Sequence, residues 1–311
     1  MLGTLALIIG LSTLFFTFLL NWVGVNYIFI GLFVVCFNFA QWLFAPYLID
    51  ALYRTKKVSR TEAPRLYEIV ERLSLNSNIS IPNIMVAKVP IPNAFAYGSP
   101  LTGNKVAVTS KLLSTLESEE VEAVIGHELG HIKHRDVQVM MFVSILPALF
   151  YYVGYSLILS SGFNRRSKRD SGGLSVLLGF ASIILYFVLT LFSLYLSRLR
   201  EYHADQHSIL VARDGKKNLS EALAKIAYSS EKMKRTSPKN NSLNSFKSLF
   251  ISDPDSAGRD LREMNRVSSR IGDQKLVEEY LKRKITKADI IAEVFSTHPN
   301  MVKRLRELQI K

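Results

Sequence analysis

The chain has 311 residues and a formal net charge of +13, but its 39 basic and 26 acidic residues are unevenly distributed. Three stretches, 1–49, 137–164 and 171–197, contain no charged residue. Because a helix on the surface of a soluble protein needs a polar face, this pattern excludes an ordinary soluble globular protein, and a hydrophobic content of 48% excludes a disordered chain. The single cysteine, Cys36, lies within an apolar stretch, which excludes a disulfide framework and a zinc site built on cysteines.

The N-terminal region, 1–53, is predicted to form a transmembrane hairpin. A membrane-spanning helix needs about 20 apolar residues, and 2–20 and 27–49 each provide them. No basic region precedes the first segment and a second apolar segment follows at once, so we expect the first to be retained rather than cleaved as a signal peptide. The hairpin is followed by basic residues, which predict a cytoplasmic exit: Arg54, Lys56, Lys57 and Arg60.

This placement of basic residues beside apolar stretches favours a lipid bilayer as the partner of the positive charge. The sequence contains no recognisable nucleic-acid-binding motif. We therefore expect contact with the membrane and none with nucleic acid.

The region after the hairpin has the composition of a soluble domain. Apolar residues at helical spacing predict a helix over 64–75, and a short apolar run predicts a strand over 84–89. Two further strands, 94–97 and 105–109, are expected to pair as a hairpin. Another helix is predicted to begin near Ser118, the expected N-cap, and to continue into the most informative residues of the chain.

A second apolar pair, 137–163 and 174–196, follows that helix. The loop between its segments is basic, with Arg165, Arg166, Lys168 and Arg169. If both segments cross the bilayer, this loop lies on the side that the positive-inside rule disfavours. Two interpretations are compatible with the sequence: the larger number of basic residues elsewhere decides the orientation, or the pair does not fully span.

The C-terminal region is again soluble in composition. Helices are predicted over 219–233, 277–284 and 287–295, and a further helix after Pro299. A stretch rich in Ser, Asn, Pro and Lys, 236–245, is predicted to be a flexible break.

The sequence H-E-x-x-H lies on the helix after Ser118. Two histidines at i and i+4, His127 and His131, share one helix face and can bind one metal ion. Glu128 follows the first ligand and can take a proton from a metal-bound water. A match of this kind is expected by chance in roughly 0.01 of chains of this composition, so the motif is specific.

A catalytic zinc ion needs a third protein ligand, for which two residues are candidates. His134 lies seven residues after His127 and on nearly the same face, but three ligands from two helical turns rarely give a tetrahedral arrangement. Glu201 lies at the end of the fourth apolar segment, with Asp205 one turn later on the same face. Glu201 is the better candidate, and Asp205 is suited to orienting a ligand.

Taken together, these motifs resemble the HtpX family of membrane metallopeptidases, which are related to the type I CAAX prenyl proteases. The chain has H-E-L-G-H followed by a hydrophobic pair and then R-x-x-E-Y-x-A-D. It also has N-A-F-A at 93–96, T-H-P at 297–299 and Arg304 six residues after His298, as the family does. The family often has a second proline where this chain has Asn300, and the stretch 236–245 matches nothing in the family.

This resemblance implies a zinc site and an edge strand. His127, His131 and Glu201 would bind one zinc ion, with Asp205 supporting the site. Glu128 would act as general base and then general acid, and His298 and Arg304 would stabilise the oxyanion. An extended substrate would pair with the edge strand formed by Asn93, Ala94, Phe95 and Ala96.

Simpler interpretations exist for several of these residues. Glu201 could be a surface charge paired with Arg198, and His298 could be an exposed residue at a helix start. Arg304 could be one more surface cation of a basic tail, and the edge strand could be purely structural.

The implied protein is an α-helical membrane protein with a mainly α, cytoplasmic, zincin-type catalytic domain that contains a small β-sheet. The catalytic regions would be 54–136, with the edge strand and the H-E-x-x-H helix, and 198–311, with the third ligand and the T-H-P motif. The hairpin 1–53 and the pair 137–197 would hold them at the membrane.

Its implied function is quality control and stress response, by zinc-dependent hydrolysis of misfolded or damaged membrane proteins at the cytoplasmic face of the cell membrane. A CAAX-type prenyl protease and a non-catalytic zinc-binding scaffold are the competing hypotheses.

Overall fold

The computed structural model of the protein describes residues 27–163, 171–236 and 273–310. The predicted first membrane segment, the basic loop around Arg165 and nearly all of the predicted flexible break lie outside the described residues. Within them, helices predominate beside one small sheet, and the expected fold class of an α-helical membrane protein with a small β-sheet is confirmed.

Helices and strands follow one another in this order: α1 (Tyr27–Tyr53), β1 (Thr55–Lys57), α2 (Pro64–Ser77), β2 (Asn83–Ala87), β3 (Ala94–Ser99), β4 (Gly103–Thr109), α3 (Ser110–Thr115), α4 (Ser118–Lys133), α5 (Asp136–Phe163), α6 (Ser171–Val211), α7 (Gly215–Thr236), α8 (Asp273–Lys282), α9 (Lys287–Val294) and α10 (Met301–Ile310). The described residues form two compact units, a helical unit (27–43 and 138–196) and a mixed unit (44–137 and 197–310).

Three of the described helices are long and apolar enough to cross a membrane. The candidate spans are Val35–Tyr53 in α1, Asp136–Leu159 in α5 and Gly173–Val211 in α6. Large apolar side chains on these helices are exposed, such as Phe142 and Ile184 at 62% and 64%. Such exposure is unfavourable in water and suits contact with lipid.

Two glycines allow α5 and α6 to approach closely within the helical unit. A Cβ atom placed on Gly154 would lie 2.8 Å from the carbonyl oxygen of Gly179, so a larger residue would push the helices apart. Gly154 lies nine residues before the end of α5 and Gly179 eight residues after the start of α6. The two glycines are thus nearly the same number of residues from the connection between α5 and α6. Contact between such positions is expected when the two helices run antiparallel.

The sheet of the mixed unit has the strand order β1-β2-β4-β3. The pairing of β3 with β4 is antiparallel, as the predicted hairpin requires, whereas β2 and β4 are parallel. The short strand β1 was not expected from the sequence, because its three residues, Thr-Lys-Lys, have no apolar alternation. Since β3 pairs with only one strand among the described residues, it forms one edge of the sheet that they build.

The rest of the mixed unit is a core of packed helices. Helix α4 packs against α2, α7, β3 and β4, and its apolar residues Val124, Ile125 and Leu129 are fully buried. The N-cap of α4 is Glu117 rather than the expected Ser118, because Glu117 and Glu120 form a reciprocal capping box.

Asp50, the first charged residue of the chain, connects the end of α1 to the sheet. Its Oδ1 accepts hydrogen bonds from Tyr97 of β3 and Thr55 of β1, both at 2.5 Å. Its Oδ2 lies 2.6 Å from Nζ of Lys105 in β4. The edge strand is therefore fixed to the helix that precedes the sheet.

Candidate metal centre

Close packing of α4 against α6 brings together residues that are far apart in the sequence. A Cβ atom on Gly130 would lie 3.0 Å from Cα of Ala204 and 3.1 Å from Cβ of His207, so only glycine permits this approach without a shift. One turn after Ala204 on α6, Ser208 donates a buried hydrogen bond of 2.6 Å to the carbonyl oxygen of Ala123 in α4. The glycine inside H-E-L-G-H thus has a packing role, and it sets the distance between the two histidines and Glu201.

The side chains of His127, His131 and Glu201 converge in one place. The Nε2 atoms of the two histidines are 3.1 Å apart, and the Glu201 carboxylate oxygens lie 3.5 Å from Nε2 of His131 and 3.6 Å from Nε2 of His127. A tetrahedral zinc ion with bonds of about 2.0–2.1 Å needs ligand atoms about 3.4 Å apart. These three residues therefore fit a zinc ion.

Burial of Glu201 supports the same conclusion. Its side chain is almost completely buried, and its Oε2 atom makes no hydrogen bond within the described chain, although Nη1 of Arg304 lies 3.2 Å away. A buried carboxylate is favourable only beside a cation, and besides Arg304 the position between Glu201 and the two histidine Nε2 atoms can hold one. His134, the other candidate third ligand, is not part of this group; its ring lies 6.1–6.2 Å from those of His203 and His207.

Two carboxylates orient the histidines from behind. Nδ1 of His127 lies 2.8 Å from Oδ1 of Asp205, and Nδ1 of His131 lies 2.6 Å from Oδ2 of Asp136. A metal-binding histidine commonly donates its other N–H to such a partner, which fixes the tautomer and increases ligand basicity. Both histidines therefore present Nε2 to the metal position.

The pKa values of the two histidines differ because their surroundings differ. Burial lowers the pKa of His131 to about 4, so this imidazole is neutral, as a metal ligand must be. Burial also disfavours protonation of His127, but the neighbouring Asp205 and Glu201 carboxylates outweigh it and raise the pKa of His127 to about 9. The negative potential that favours a proton at His127 also favours a divalent cation at the same place.

Arg304 is fully buried, contrary to the idea of an ordinary surface cation. Its guanidinium binds the Asp205 carboxylate through two bonds, Nε to Oδ2 at 2.6 Å and Nη2 to Oδ1 at 2.5 Å. Its Nη1 atom lies 3.2 Å from Oε2 of Glu201. Arg304 thus contacts both carboxylates of the E-x-x-x-D pair.

His298 also reaches the group. Its Nε2 atom lies 3.7 Å from Oε1 of Glu201, and its Nδ1 atom is 2.9 Å from the Thr297 hydroxyl. Glu128 is 3% exposed on α4, and its negative charge acts on both His131 and Arg304. Each catalytic and metal-binding residue expected from the sequence therefore lies in or beside this group.

The sequence is similar to a known peptidase family and to curated proteins. The profile of peptidase family M48 matches residues 60–310. The chain belongs to peptidase family M48. A Protease HtpX homolog from Thermoplasma acidophilum is 38% identical over 281 residues, which cover 88% of this chain and 82% of that protein. Protease HtpX homolog 2 from Saccharolobus solfataricus is 38% identical over 286 residues, covering 89% of this chain and 83% of the relative.

Among solved structures, the crystal structure of S. mikatae Ste24p has a similar fold. The TM-score is 0.58 at 18% sequence identity, and the match covers 98% of this chain. This chain spans 64% of the length of Ste24p. At this identity the similarity concerns the fold alone.

These relationships confirm the HtpX-type resemblance that the motifs indicated. This M48 protein is a membrane-bound metallopeptidase of the HtpX type. Its candidate metal ligands are His127, His131 and Glu201.

One residue of this M48 site was missed by the sequence reasoning. Asp136 orients His131, and Nε of Arg200 lies 3.0 Å from its second oxygen. In the sequence, the sign of this role was a carboxylate five residues after the second histidine. The contact depends on the turn at Arg135, which has a left-handed φ of 53° and directs Asp136 back to His131.

The edge strand β3 lies against the metal-binding helix α4. The carbonyl oxygen of Asn93 accepts a hydrogen bond of 2.9 Å from the backbone N–H of Thr109, which marks Asn93 as a residue bonded toward β4. Bonding alternates along an antiparallel strand, so the backbone groups of Ala94 and Ala96 point away from β4. The side chain of Phe95 packs in a cluster with Tyr53 and Tyr97.

Proposed function

We propose that this M48 protein is a zinc-dependent endopeptidase that cleaves misfolded or damaged membrane proteins at the cytoplasmic face of the cell membrane. The observation that carries the proposal is the separation of 3.1–3.6 Å among the ligand atoms of His127, His131 and Glu201. That spacing suits zinc, and two histidines with one glutamate are a known ligand set of catalytic zinc sites.

A zinc ion at this position would supply a Lewis acid that polarises the scissile carbonyl and acidifies a water molecule. Glu128, next to the first ligand on α4, accepts the proton of the attacking water and then delivers it to the leaving amine. His298 donates a hydrogen bond to the oxygen on which negative charge develops. The loss of one such donor typically lowers kcat by about 10²–10³.

For Arg304, the oxyanion role expected from the resemblance stays a prediction, and its contacts support a second role. Its guanidinium neutralises the buried Asp205 and Glu201 carboxylates, which would otherwise repel each other. Asp205 in turn holds His127. We infer that Arg304 keeps the E-x-x-x-D pair in position for metal binding.

We infer further that β3 binds the substrate as an added strand. Ala96 is half-buried, so its outward backbone groups can reach an extended peptide with main-chain hydrogen bonds, whereas Ala94 is buried. Such bonds require no particular side chain, which suits a protease that accepts many damaged substrates.

The membrane topology of the proposal follows the charges. His127 precedes α5, whereas Glu201 lies in α6 after its charge-free stretch, and the two residues share one site. The pair must therefore return the chain to the side from which it started. The basic residues after α1 favour the cytoplasm as that side.

The proposal is tested with the full-length protein in detergent, by measuring zinc content and the cleavage of casein and of a misfolded membrane protein. Glu128→Gln is expected to keep one zinc ion per chain and to lose proteolysis, whereas Glu119→Gln, an exposed change on the same helix, is expected to behave like the wild type. Preferred cleavage of a farnesylated peptide would favour the CAAX-type alternative. Stoichiometric zinc without any cleavage would favour the scaffold.

A further inference from the structure

Helix α9 exposes a continuous apolar surface. Its residues Ile290, Ile291 and Val294 and its C-cap Phe295 are 47%, 62%, 39% and 69% exposed, and we call these four residues the α9 patch. At helical spacing these four positions lie on one side of the helix. A soluble helix normally presents charged and polar residues on such a side. The patch is therefore a surface that requires a partner.

The opposite side of α9 is held by polar contacts. Asp289 is buried and forms a reciprocal capping box with Thr286 at the start of the helix. The Glu293 carboxylate accepts a hydrogen bond of 3.1 Å from the backbone N–H of Asn300. Because that side is fixed to the protein, the orientation of the patch is fixed as well.

The end of α9 is attached to α6 through Arg198. Nη1 of Arg198 donates to the carbonyl oxygens of Glu293 at 2.8 Å, Val294 at 3.2 Å and Ser296 at 2.8 Å. A cation is favourable at the negative end of a helix, and three carbonyl groups accept from this one nitrogen. The C-terminal end of α9 is therefore bound to α6 at the position of Arg198.

Arg198 marks the point on α6 where the charge-free stretch ends. Residues 171–197 contain no charge, and Arg198 is the first charged residue after them. The stretch belongs to a helix that is long and apolar enough to cross the membrane. Arginine at the end of such a segment places its charged group at the polar boundary of the bilayer. Since Arg198 binds the end of α9, the α9 patch lies at the same boundary.

We propose that α9 lies on the bilayer surface and inserts its apolar patch into the lipid. The basic residues beside it suit this partner: Lys282, Lys284 and Lys287 are exposed before or at the start of the helix. Lysine side chains are attracted to anionic headgroups, while the apolar side of an interfacial helix is buried about 5–10 Å into the lipid.

Insertion of α9 into the bilayer would also position the candidate metal site. This consequence rests on the proposed function. His298 follows Phe295 by only three residues, and its Nε2 lies 3.7 Å from Oε1 of Glu201. Membrane contact at α9 would hold the T-H-P segment, and with it the metal centre, close to the bilayer surface. The favoured substrates are then peptide segments that emerge directly from the membrane.

The test uses the single cysteine of the chain. Cys36 is replaced by serine in the full-length protein, and Phe295→Cys is labelled with a nitroxide in lipid nanodiscs. The control is Leu75→Cys, a side chain of 71% exposure on α2 whose helix face also carries Glu68. Electron paramagnetic resonance then compares collisions with oxygen, which concentrates in lipid, and with a water-soluble nickel chelate.

We expect the label at position 295 to collide more with oxygen than with the nickel chelate, and the label at position 75 to show the reverse order. Equal behaviour of the two labels would overturn the proposal, since the patch would then face water. Protection of position 295 from both reagents would also overturn it, because protein would cover the patch. The measurement needs no proteolysis, so its failure is distinct from failure of the proposed function.

A second measurement connects the patch to substrate choice. Phe295→Ser is expected to reduce the cleavage of a membrane-anchored substrate several-fold while a short soluble peptide is cleaved at the wild-type rate. An equal loss on both substrates would contradict the positioning role, because it would indicate damage to the site itself.

Discussion

Removal of the Arg304 side-chain charge distinguishes its two possible roles. In Arg304→Met the chain keeps a side chain of similar length, but the buried Asp205 and Glu201 carboxylates lose the cation that contacts both. Breaking a buried ion pair by removing one partner typically costs about 3–5 kcal/mol. We therefore expect a large loss of stability together with weaker metal binding.

The size of the effect can be expressed as a melting temperature. For a domain of about 150–250 residues, 1 kcal/mol corresponds to roughly 2–4 °C, so Arg304→Met should lower the Tm by roughly 6–20 °C. The assay is thermal unfolding in detergent at a fixed zinc concentration, with zinc content and kcat measured on the same samples. Arg304→Lys keeps the charge without the two-bond geometry and should lie between methionine and the wild type.

A matched control lies two residues away on α10. Arg306 is exposed and, among the described residues, donates to the carbonyl oxygens of Leu281 and Arg283. Arg306→Met should therefore change the stability by about 0.5 kcal/mol or less. If Arg304→Met melts within about 2 °C of the wild type while kcat falls by about 10²–10³, Arg304 does not hold the carboxylate pair in position. That combination would establish Arg304 as an oxyanion donor.

Three further predictions concern other parts of the site. Asp136→Asn should weaken metal binding about 10–100-fold, because His131 loses its orienting partner; competition with a chromophoric chelator measures this, and an unchanged affinity would contradict the assigned contact. His298→Ala should lower kcat by about 10²–10³ with unchanged zinc content, and loss of zinc instead would indicate a structural role. Ala96→Pro should raise KM for peptides with little change in Tm, since an edge strand tolerates proline where its N–H points outward, and a normal KM would argue against strand addition.

Some of the site could be predicted because its signals are local. Histidines four residues apart must share a helix face, and Glu128 must lie beside them. The position of Glu201 required a step of topology, since α6 continues without a break from the charge-free stretch to Val211 and carries Glu201 to α4. The glycine of H-E-L-G-H could have indicated this approach, because a Cβ there would lie 3.0 Å from Ala204.

Other features depend on contacts that leave no trace in the sequence. The burial of Arg304 could not be read from a C-terminal helix that also contains Lys303 and Arg306. The attachment of Arg198 to the end of α9 joins residues about 95 positions apart, and the sequence suggested for Arg198 only a surface pairing with Glu201 as the simpler interpretation of that residue. The role of Asp136 depends on a left-handed turn at Arg135, a residue type that gives no hint of such a conformation.

The central claim is that His127, His131 and Glu201 hold a zinc ion beside Glu128, and one paired measurement tests it most directly. Zinc content and casein cleavage are determined for the purified wild type and for Glu128→Gln. The account predicts one zinc ion per chain in both proteins, with proteolysis only in the wild type and its loss on treatment with a chelator. Cleavage by Glu128→Gln at the wild-type rate, or full activity of a zinc-free wild type, would contradict it.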